Sequence, residues 1–170
     1  MILREATHND AAELAEFGRT SFTAAFGHLY RPQDLAAFNS EVYSPGAVAE
    51  EITGSECTHR IAELDGRIIG YCKMRYPSKL ASHSKARNPI ELGQLYTAPA
   101  MTGQGIGAAL MEWALDLARR NGHDAILLSV WSGNRGAQKF YERYGFAKIA
   151  DITFQVGEQL DDEFLYEMKL

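Results

Sequence analysis

The segment TGQGIG at residues 102–107 constrains the fold more than any other part of the sequence. It joins a predicted strand, residues 90–97, to a predicted helix, Ile106–Arg120. Three glycines at every second position clear one side of a tight loop, so consecutive backbone N–H groups can face a concavity. Because the loop opens at a helix N-terminus, where N–H groups are unpaired and the helix dipole is positive, it predicts a site for phosphate or pyrophosphate.

Three interpretations of this loop compete. A Walker A loop is excluded, because no lysine follows Gly105. A dinucleotide fingerprint, G-x-G-x-x-G/A, is formally matched by Gly103, Gly105 and Ala108, but it requires an acidic residue at the end of the next strand. That strand ends at Trp131 without one. A glycine-rich turn that binds nothing is the third interpretation, and the loop alone does not exclude it.

Length and charge limit the classes of protein. The 170 residues predict one domain spanning residues 1–170, and a net charge of −5 argues against nucleic-acid partners and weakly favours cationic small ones. Cys57 and Cys72 are predicted to be buried free thiols. Since no signal peptide and no apolar run of roughly 20 residues is present, we expect a cytoplasmic protein without a membrane partner. No metal site is predicted, and a homodimer is among the expected assemblies.

The pattern of apolar residues predicts an α/β (α+β) fold. Strands are predicted at residues 1–6, 58–64, 67–75, 90–97, 125–131, 146–152 and 164–170. Helices are predicted at residues 9–19, 33–38, 47–53, 106–120 and 134–144. Asp65-Gly66 predicts a hairpin turn, and residues 157–162 a second turn. This order indicates a mixed, mostly antiparallel central sheet of about six to seven strands with helices on both faces.

Further motifs surround the loop. Residues 91–97 read ELGQLYT, residues 129–134 read SVWSGN, and residues 140–146 read FYERYGF. At this spacing the sequence resembles the GNAT superfamily of N-acetyltransferases and, more loosely, its branch that acetylates diamines and polyamines. The resemblance implies the GNAT fold and transfer of an acetyl group from acetyl-CoA to the primary amine of a small molecule in a ternary complex.

The resemblance also implies which residues hold the cosubstrate. The loop would bind the pyrophosphate, and the backbone of the preceding strand would pair with the pantetheine amides and polarise the thioester carbonyl. The residues expected to bind acetyl-CoA are Leu95, Tyr96, Thr97, Thr102, Gly103, Gln104, Gly105, Ile106, Gly107, Asn134 and Tyr141. One departure stands out: family loops usually open with Arg or Gln, and here Thr102 takes that place. Arg135, Lys139 and Arg143 are the cations near enough in sequence to compensate.

Two side chains are candidates for proton transfer. Tyr141 resembles the family's general acid, since a phenol is protonated at neutral pH and can protonate a departing thiolate. The alternative is a buried aromatic whose hydroxyl is hydrogen-bonded. Glu91 resembles a family base that acts through water; the alternative is an exposed strand glutamate or an ion pair with Lys73 or Arg75.

The acceptor end of the site is less constrained. The resemblance places the first helices beside the acceptor, so Phe22, Phe26, His28 and Tyr30 are candidate substrate contacts, although aromatics there can equally cap the core. Carboxylates at residues 161–163 suit a cationic amine. Two other functions remain open: transfer to a protein or peptide amine, and a non-catalytic sensor that binds acyl-CoA.

Overall fold

A computed structural model describes all residues, 1–170. Seven strands form the sheet: β1 (Ile2–Glu5), β2 (Cys57–Leu64), β3 (Arg67–Arg75), β4 (Pro89–Thr97), β5 (Ala125–Trp131), β6 (Ala147–Val156) and β7 (Gln159–Lys169). Five α-helices accompany them: α1 (Ala11–Phe26), α2 (Pro32–Val42), α3 (Pro45–Thr53), α4 (Ile106–Arg120) and α5 (Arg135–Arg143). None of the helices combines the length and apolar character that a membrane crossing requires.

The strands lie in the order β1-β2-β3-β4-β5-β7-β6. Every neighbouring pair is antiparallel except β4 and β5, which are parallel because α4 connects them across the sheet. Asp65 and Gly66 both have positive φ, as a two-residue hairpin turn requires, so the β2–β3 hairpin is confirmed. The predicted mixed, mostly antiparallel sheet is confirmed with seven strands.

Helices cover both faces of the sheet, as predicted. On one face α1 and α3 pack on β2, β3 and β4, around a core that includes Leu14, Ile61 and Tyr71. On the other face α4 buries Ile106, Leu110 and further apolar side chains against the sheet, and α5 joins this core through a buried aromatic side chain. The predicted bounds of α4 and β5 are confirmed, because each has an uninterrupted apolar pattern.

Several predicted boundaries are wrong, including the end of α2, which runs to Val42 and not to residue 38. Helix α1 continues past residue 19 to Phe26, because nothing in that stretch interrupts a helix before Gly27. Strands β6 and β7 are longer than predicted, and the turn between them is shorter, since Val156 pairs with Gln159 across Gly157 and Glu158. Gly157 has φ +58, and a Cβ there would clash with Asp34, so the turn position depends on glycine. Cys72 is a buried free thiol, while Cys57 is free but half-buried.

The sheet opens between β4 and β5. Only Pro89, Ile90 and Glu91 of β4 pair with β5, and from Leu92 onward β4 remains paired with β3 alone. The register between β3 and β4 shifts at Gly93, which leaves one extra residue in β4 at the point of divergence. A bulge of this kind bends its strand and adds twist. The result is a cleft between the C-terminal halves of β4 and β5.

Candidate active site

The cleft between β4 and β5 forms a cavity of about 550 Å³. Strand residues form its two walls, residues of α5 and the start of α4 line one end, and aromatic side chains line the other. It is lined by Phe22, Ala25, Phe26, Tyr30, Leu92, Gly93, Gln94, Leu95, Tyr96, Thr97, Thr102, Gly107, Ser129, Val130, Trp131, Asn134, Gly136, Ala137, Phe140, Tyr141, Phe154 and Glu163. The cavity therefore reaches from the predicted phosphate loop to the predicted acceptor residues.

The glycine loop has the geometry of an anion cradle. Gly103 and Gly105 both have φ +82, a backbone region that L side chains rarely adopt, and the space where a Cβ would stand is open at both. The N–H groups of Ile106, Gly107 and Ala108 have no backbone acceptor. These unpaired groups at the N-terminus of α4 can bind the oxygens of a phosphate or pyrophosphate.

The open edge of β4 supplies further backbone donors and acceptors. Leu95, Tyr96 and Thr97 line the cavity without a strand partner on the β5 side. Gln94 fixes this edge, because it accepts a hydrogen bond from the hydroxyl of Tyr71 at 2.9 Å and donates one to the hydroxyl of Tyr43 at 3.1 Å. Sequence reasoning did not find this buried network, since its three residues come from three separate elements.

The start of α5 holds two of the predicted residues. Asn134 caps α5, its Oδ1 accepting a hydrogen bond from the N–H of Ala137 at 3.1 Å, and it lines the cavity. Tyr141 also lines the cavity and is 9% exposed. Burial, with a smaller contribution from Cys72, raises the pKa of Tyr141 above its ordinary value of 10.0. The phenol is therefore protonated at neutral pH and can act as a proton donor.

Glu91 lies outside the cavity. Its Oε2 accepts hydrogen bonds from the backbone N–H of Lys79 at 2.8 Å and the hydroxyl of Ser78 at 3.2 Å, and its Oε1 pairs with Arg75 at 3.3 Å. The carboxylate is buried, and Arg75 also pairs with Glu51 of α3, which places the group on the face of the sheet that α1 and α3 cover. The structure thus has the ion pair with Arg75, and it does not bring Glu91 to Tyr141.

The predicted acceptor residues separate into two groups. Phe22, Phe26 and Tyr30 line the cavity, although Phe22 is also 4% exposed and stacks on Tyr30 with ring centroids 5.9 Å apart. These side chains therefore cap the core and face the cavity at once. His28 is exposed and does not line the cavity, but its ring lies 6.3 Å from that of Trp131.

Three lining residues outside the predicted site share the acceptor end with these aromatics. Trp131 and Phe154 extend the aromatic wall, and Glu163 is the only charged residue that lines the cavity. The register explains how they meet, since Trp131 of β5 lies directly opposite Glu163 of β7. The sequence offered one signal, the acidic run at residues 161–163, but not which of its carboxylates faces inward. No three His, Cys, Asp or Glu side chains come together as metal ligands.

Comparison with known proteins adds to this geometry. Residues 23–146 match the model of the Acetyltransferase (GNAT) family. An uncharacterized N-acetyltransferase of Mycobacterium tuberculosis is 30% identical over 161 residues, which cover 95% of this chain and 98% of that protein.

Solved structures agree in fold. The crystal structure of the PaiA N-acetyltransferase from Thermoplasma acidophilum in complex with coenzyme A is 22% identical, with a TM-score of 0.80 and coverage of 99% of this chain and 98% of that one. The structure of Arabidopsis thaliana NAA60 in complex with acetyl-CoA is 15% identical, with a TM-score of 0.76, and covers 99% of this chain and 98% of that one. At these identities the likeness concerns the fold.

Proposed function

The chain belongs to the acetyltransferase (GNAT) family, and on that premise we propose that it transfers an acetyl group from acetyl-CoA to the primary amine of a small molecule. The amine would attack the thioester directly, with both substrates bound at once. One observation carries the proposal: a single cavity is lined by the start of the phosphate loop, the open edge of β4, a protonated phenol and a carboxylate. These groups meet the needs of acyl transfer to an amine.

Acetyl-CoA would occupy the end of the cavity near α4. The N–H groups of Ile106 to Ala108 would bind its pyrophosphate, and the open loop at Gly103 and Gly105 leaves room for it. The backbone of residues 95–97 would pair with the pantetheine arm, and one of its N–H groups would polarise the thioester carbonyl. The Nδ2 group of Asn134 remains available for a further contact, because the cap uses Oδ1.

Tyr141 would protonate the departing thiolate. Its raised pKa keeps the phenol protonated at neutral pH. Burial in the same cavity also raises the basicity of the developing thiolate, so the phenol can donate its proton to sulfur as the C–S bond breaks.

The shape of the acceptor end favours a small molecule over a protein. Phe22, Phe26 and Tyr30, from α1 and the turn after it, and Phe154 of β6 line this end of the cavity with large rings. A folded protein segment would need an open groove there. An acyl-CoA sensor would need the phosphate cradle, but it would have no use for a buried proton donor and an unpaired carboxylate.

An acetyl-CoA-dependent thiol-release assay tests the proposal. The amine panel should contain aliphatic monoamines, diamines, spermidine, amino acids and short peptides with free N-termini. We expect thiol release with at least one small aliphatic amine above the rate without amine. Release with peptides alone would support the protein-directed alternative. Tight acetyl-CoA binding with no release for any amine would support the sensor.

The variant Tyr141→Phe tests the assigned acid. We expect kcat to fall about 10²- to 10⁴-fold, while the Kd for CoA changes little because the ring is retained. Tyr144→Phe is a matched control, since Tyr144 follows α5 but does not line the cavity. Equal turnover in Tyr141→Phe and Tyr144→Phe would remove Tyr141 from the mechanism.

A further inference from the structure

Glu163 is the one charged side chain that faces the cavity. It is half-buried on β7, where it lies opposite Trp131 of β5 and Ile152 of β6. Its Oε2 is buried and has no hydrogen-bond partner in the protein, and the hydroxyl of Ser129 is the polar group beside the carboxylate. A buried carboxylate oxygen without a partner costs free energy, and one at the wall of a cavity can gain a partner from a ligand that donates a hydrogen bond.

No cation of the protein neutralises this carboxylate. The charge that acts on it is that of Asp161, two residues earlier on the same face of β7, and it has the same sign. Asp161 already accepts a hydrogen bond from the hydroxyl of Tyr30 and another from the Nε2 of Gln159 at 2.7 Å. The acceptor end of the cavity therefore has a negative electrostatic potential that no cation of the protein neutralises. A cationic ligand bound there would neutralise it.

The titration of Glu163 agrees with this geometry. Burial raises its pKa above 4.5, Asp161 adds to the increase, and the neighbouring Ser129 hydroxyl acts in the opposite direction. The other titratable groups facing this end are the phenols of Tyr30 and Tyr96, which both have raised pKa values and are neutral at pH 7, with His28 beyond Trp131. A carboxylate with a raised pKa accepts a proton more readily than an ordinary one.

We propose that Glu163 receives the ammonium group of the acceptor amine and accepts its proton before the amine attacks the thioester. The inference rests on the proposed function and narrows it to small aliphatic amines that are cationic at neutral pH. The rings of Phe26, Trp131 and Phe154 form the wall around the carboxylate. Aromatic faces bind both the aliphatic part of such a substrate and its positive charge.

The proton transfers balance. The ammonium gives one proton to Glu163, and the nitrogen lone pair of the neutral amine forms the C–N bond to the thioester carbon. The C–S bond breaks with its electron pair on sulfur, and Tyr141 protonates the thiolate. The second proton lost from nitrogen returns to Tyr141, and Glu163 releases its own proton to solvent. The net products are the amide, free CoA thiol and one proton.

The test compares a cationic with a neutral acceptor. The cationic probe is 1,4-diaminobutane, and the neutral one is hydroxylamine, which is uncharged at pH 7. Glu163→Gln keeps the size of the side chain but removes its charge and its ability to take a proton. Asp162→Asn is the matched control, because it removes one negative charge from the neighbouring, exposed position of β7.

We expect Glu163→Gln to lower kcat/KM for 1,4-diaminobutane by about 10²- to 10³-fold and for hydroxylamine by less than about tenfold. Asp162→Asn should stay within about twofold of the wild type for both. In the wild type, kcat/KM should rise with pH as Glu163 ionises, and this rise should be absent in Glu163→Gln. The Kd for CoA, followed by the fluorescence of Trp131 and Trp113, should be unchanged.

The outcomes separate this inference from the proposed function. If the wild type acetylates amines and Glu163→Gln loses the same factor with both acceptors, Glu163 has a structural role and the inference is wrong. If the wild type acetylates no amine, the proposed function fails, and calorimetric titration with 1,4-diaminobutane still decides whether Glu163 binds an ammonium group. About tenfold weaker binding of 1,4-diaminobutane to Glu163→Gln would support the binding of an ammonium group by Glu163. No binding to the wild type would overturn it.

Discussion

The two halves of β4 differ in whether the carboxylates beside them have partners within the protein. In the N-terminal half β4 has strand partners on both sides, and Glu91 has three partners of its own. In the C-terminal half β4 has no partner toward β5, and the cavity there contains Tyr141 and the carboxylate of Glu163, whose Oε2 has no hydrogen-bond partner. Where the sheet is closed, the charge of Glu91 is neutralised by other residues of the protein. Where the sheet opens, the carboxylate of Glu163 remains available to a ligand.

A charge cluster stabilises the closed half. Glu51 of α3 accepts hydrogen bonds from the Nζ of Lys73 at 2.9 and 3.0 Å, pairs with Arg75 at 3.3 Å, and lies 3.4 Å from the Nε2 of His59. The side chain of Lys73 is only 4% exposed. One carboxylate thus compensates a deeply buried cation, so the cluster should matter for folding rather than for acetyl transfer.

The largest predicted effect is on this cluster. Glu51→Gln leaves the ammonium of Lys73 buried without a counter-charge, and we expect the free energy of unfolding to fall by about 3–5 kcal/mol. Urea denaturation followed by circular dichroism measures it. The double variant Glu51→Gln/Lys73→Met should recover most of the loss, because it removes both charges together. A loss below about 1 kcal/mol in the single variant would contradict the claim that the buried ammonium of Lys73 needs the charge of Glu51.

The same pair predicts how stability depends on pH. Although burial acts in the opposite direction, His59 and Lys73 lower the pKa of Glu51 from 4.5 to about 2. A lowered pKa contributes stability that is complete above pH 4.5 and is lost as pH falls toward 2. The difference in unfolding free energy between wild type and Glu51→Gln should therefore shrink progressively over this range. A difference that stays constant between pH 6 and pH 3 would rule out this assignment.

Glu91 gives a smaller effect and the most direct comparison with Glu163. Glu91→Gln weakens charge-assisted hydrogen bonds, so we expect a loss of about 1–2 kcal/mol in stability. Because its carboxylate lies outside the cavity, kcat should stay within about twofold of the wild type once the fraction folded is accounted for. A 100-fold loss of kcat in Glu91→Gln, with Glu163→Gln active, would reverse the roles assigned to the two carboxylates.

These residues show what the sequence predicts and what it does not. The bounds of α4 and β5 follow from local apolar patterns, and the family motifs locate the phosphate loop and Tyr141 because those features are contiguous in sequence. Glu91 belongs to the same motif, but the register of β3 against β4 places Arg75 beside it. Glu163 is free to bind a ligand because no side chain of β5, β6 or α1 forms an ion pair with it. No local pattern encodes the absence of a partner.

The smallest predicted effect concerns the first residue of the phosphate loop. Thr102 is exposed, and the N–H groups of Ile106, Gly107 and Ala108 are the donors that face the cradle, so Thr102→Ala should change the Kd for CoA by no more than about twofold. Arg143 is our candidate for the cation that binds the phosphates in place of the Arg that often opens the family's loop. Its guanidinium lies 5.8 Å from the centre of the Phe140 ring, which in turn lies against Gly107 at the start of α4.

Arg143→Gln should therefore weaken CoA binding by about three- to tenfold, and the difference from wild type should diminish in high salt, as for an exposed cation acting on a phosphate. Isothermal titration at two salt concentrations measures both variants. If Thr102→Ala loses tenfold while Arg143→Gln loses nothing, the threonine hydroxyl binds the phosphate directly. Phosphate binding would then depend on the side chain of Thr102 as well as on the backbone N–H groups of the loop.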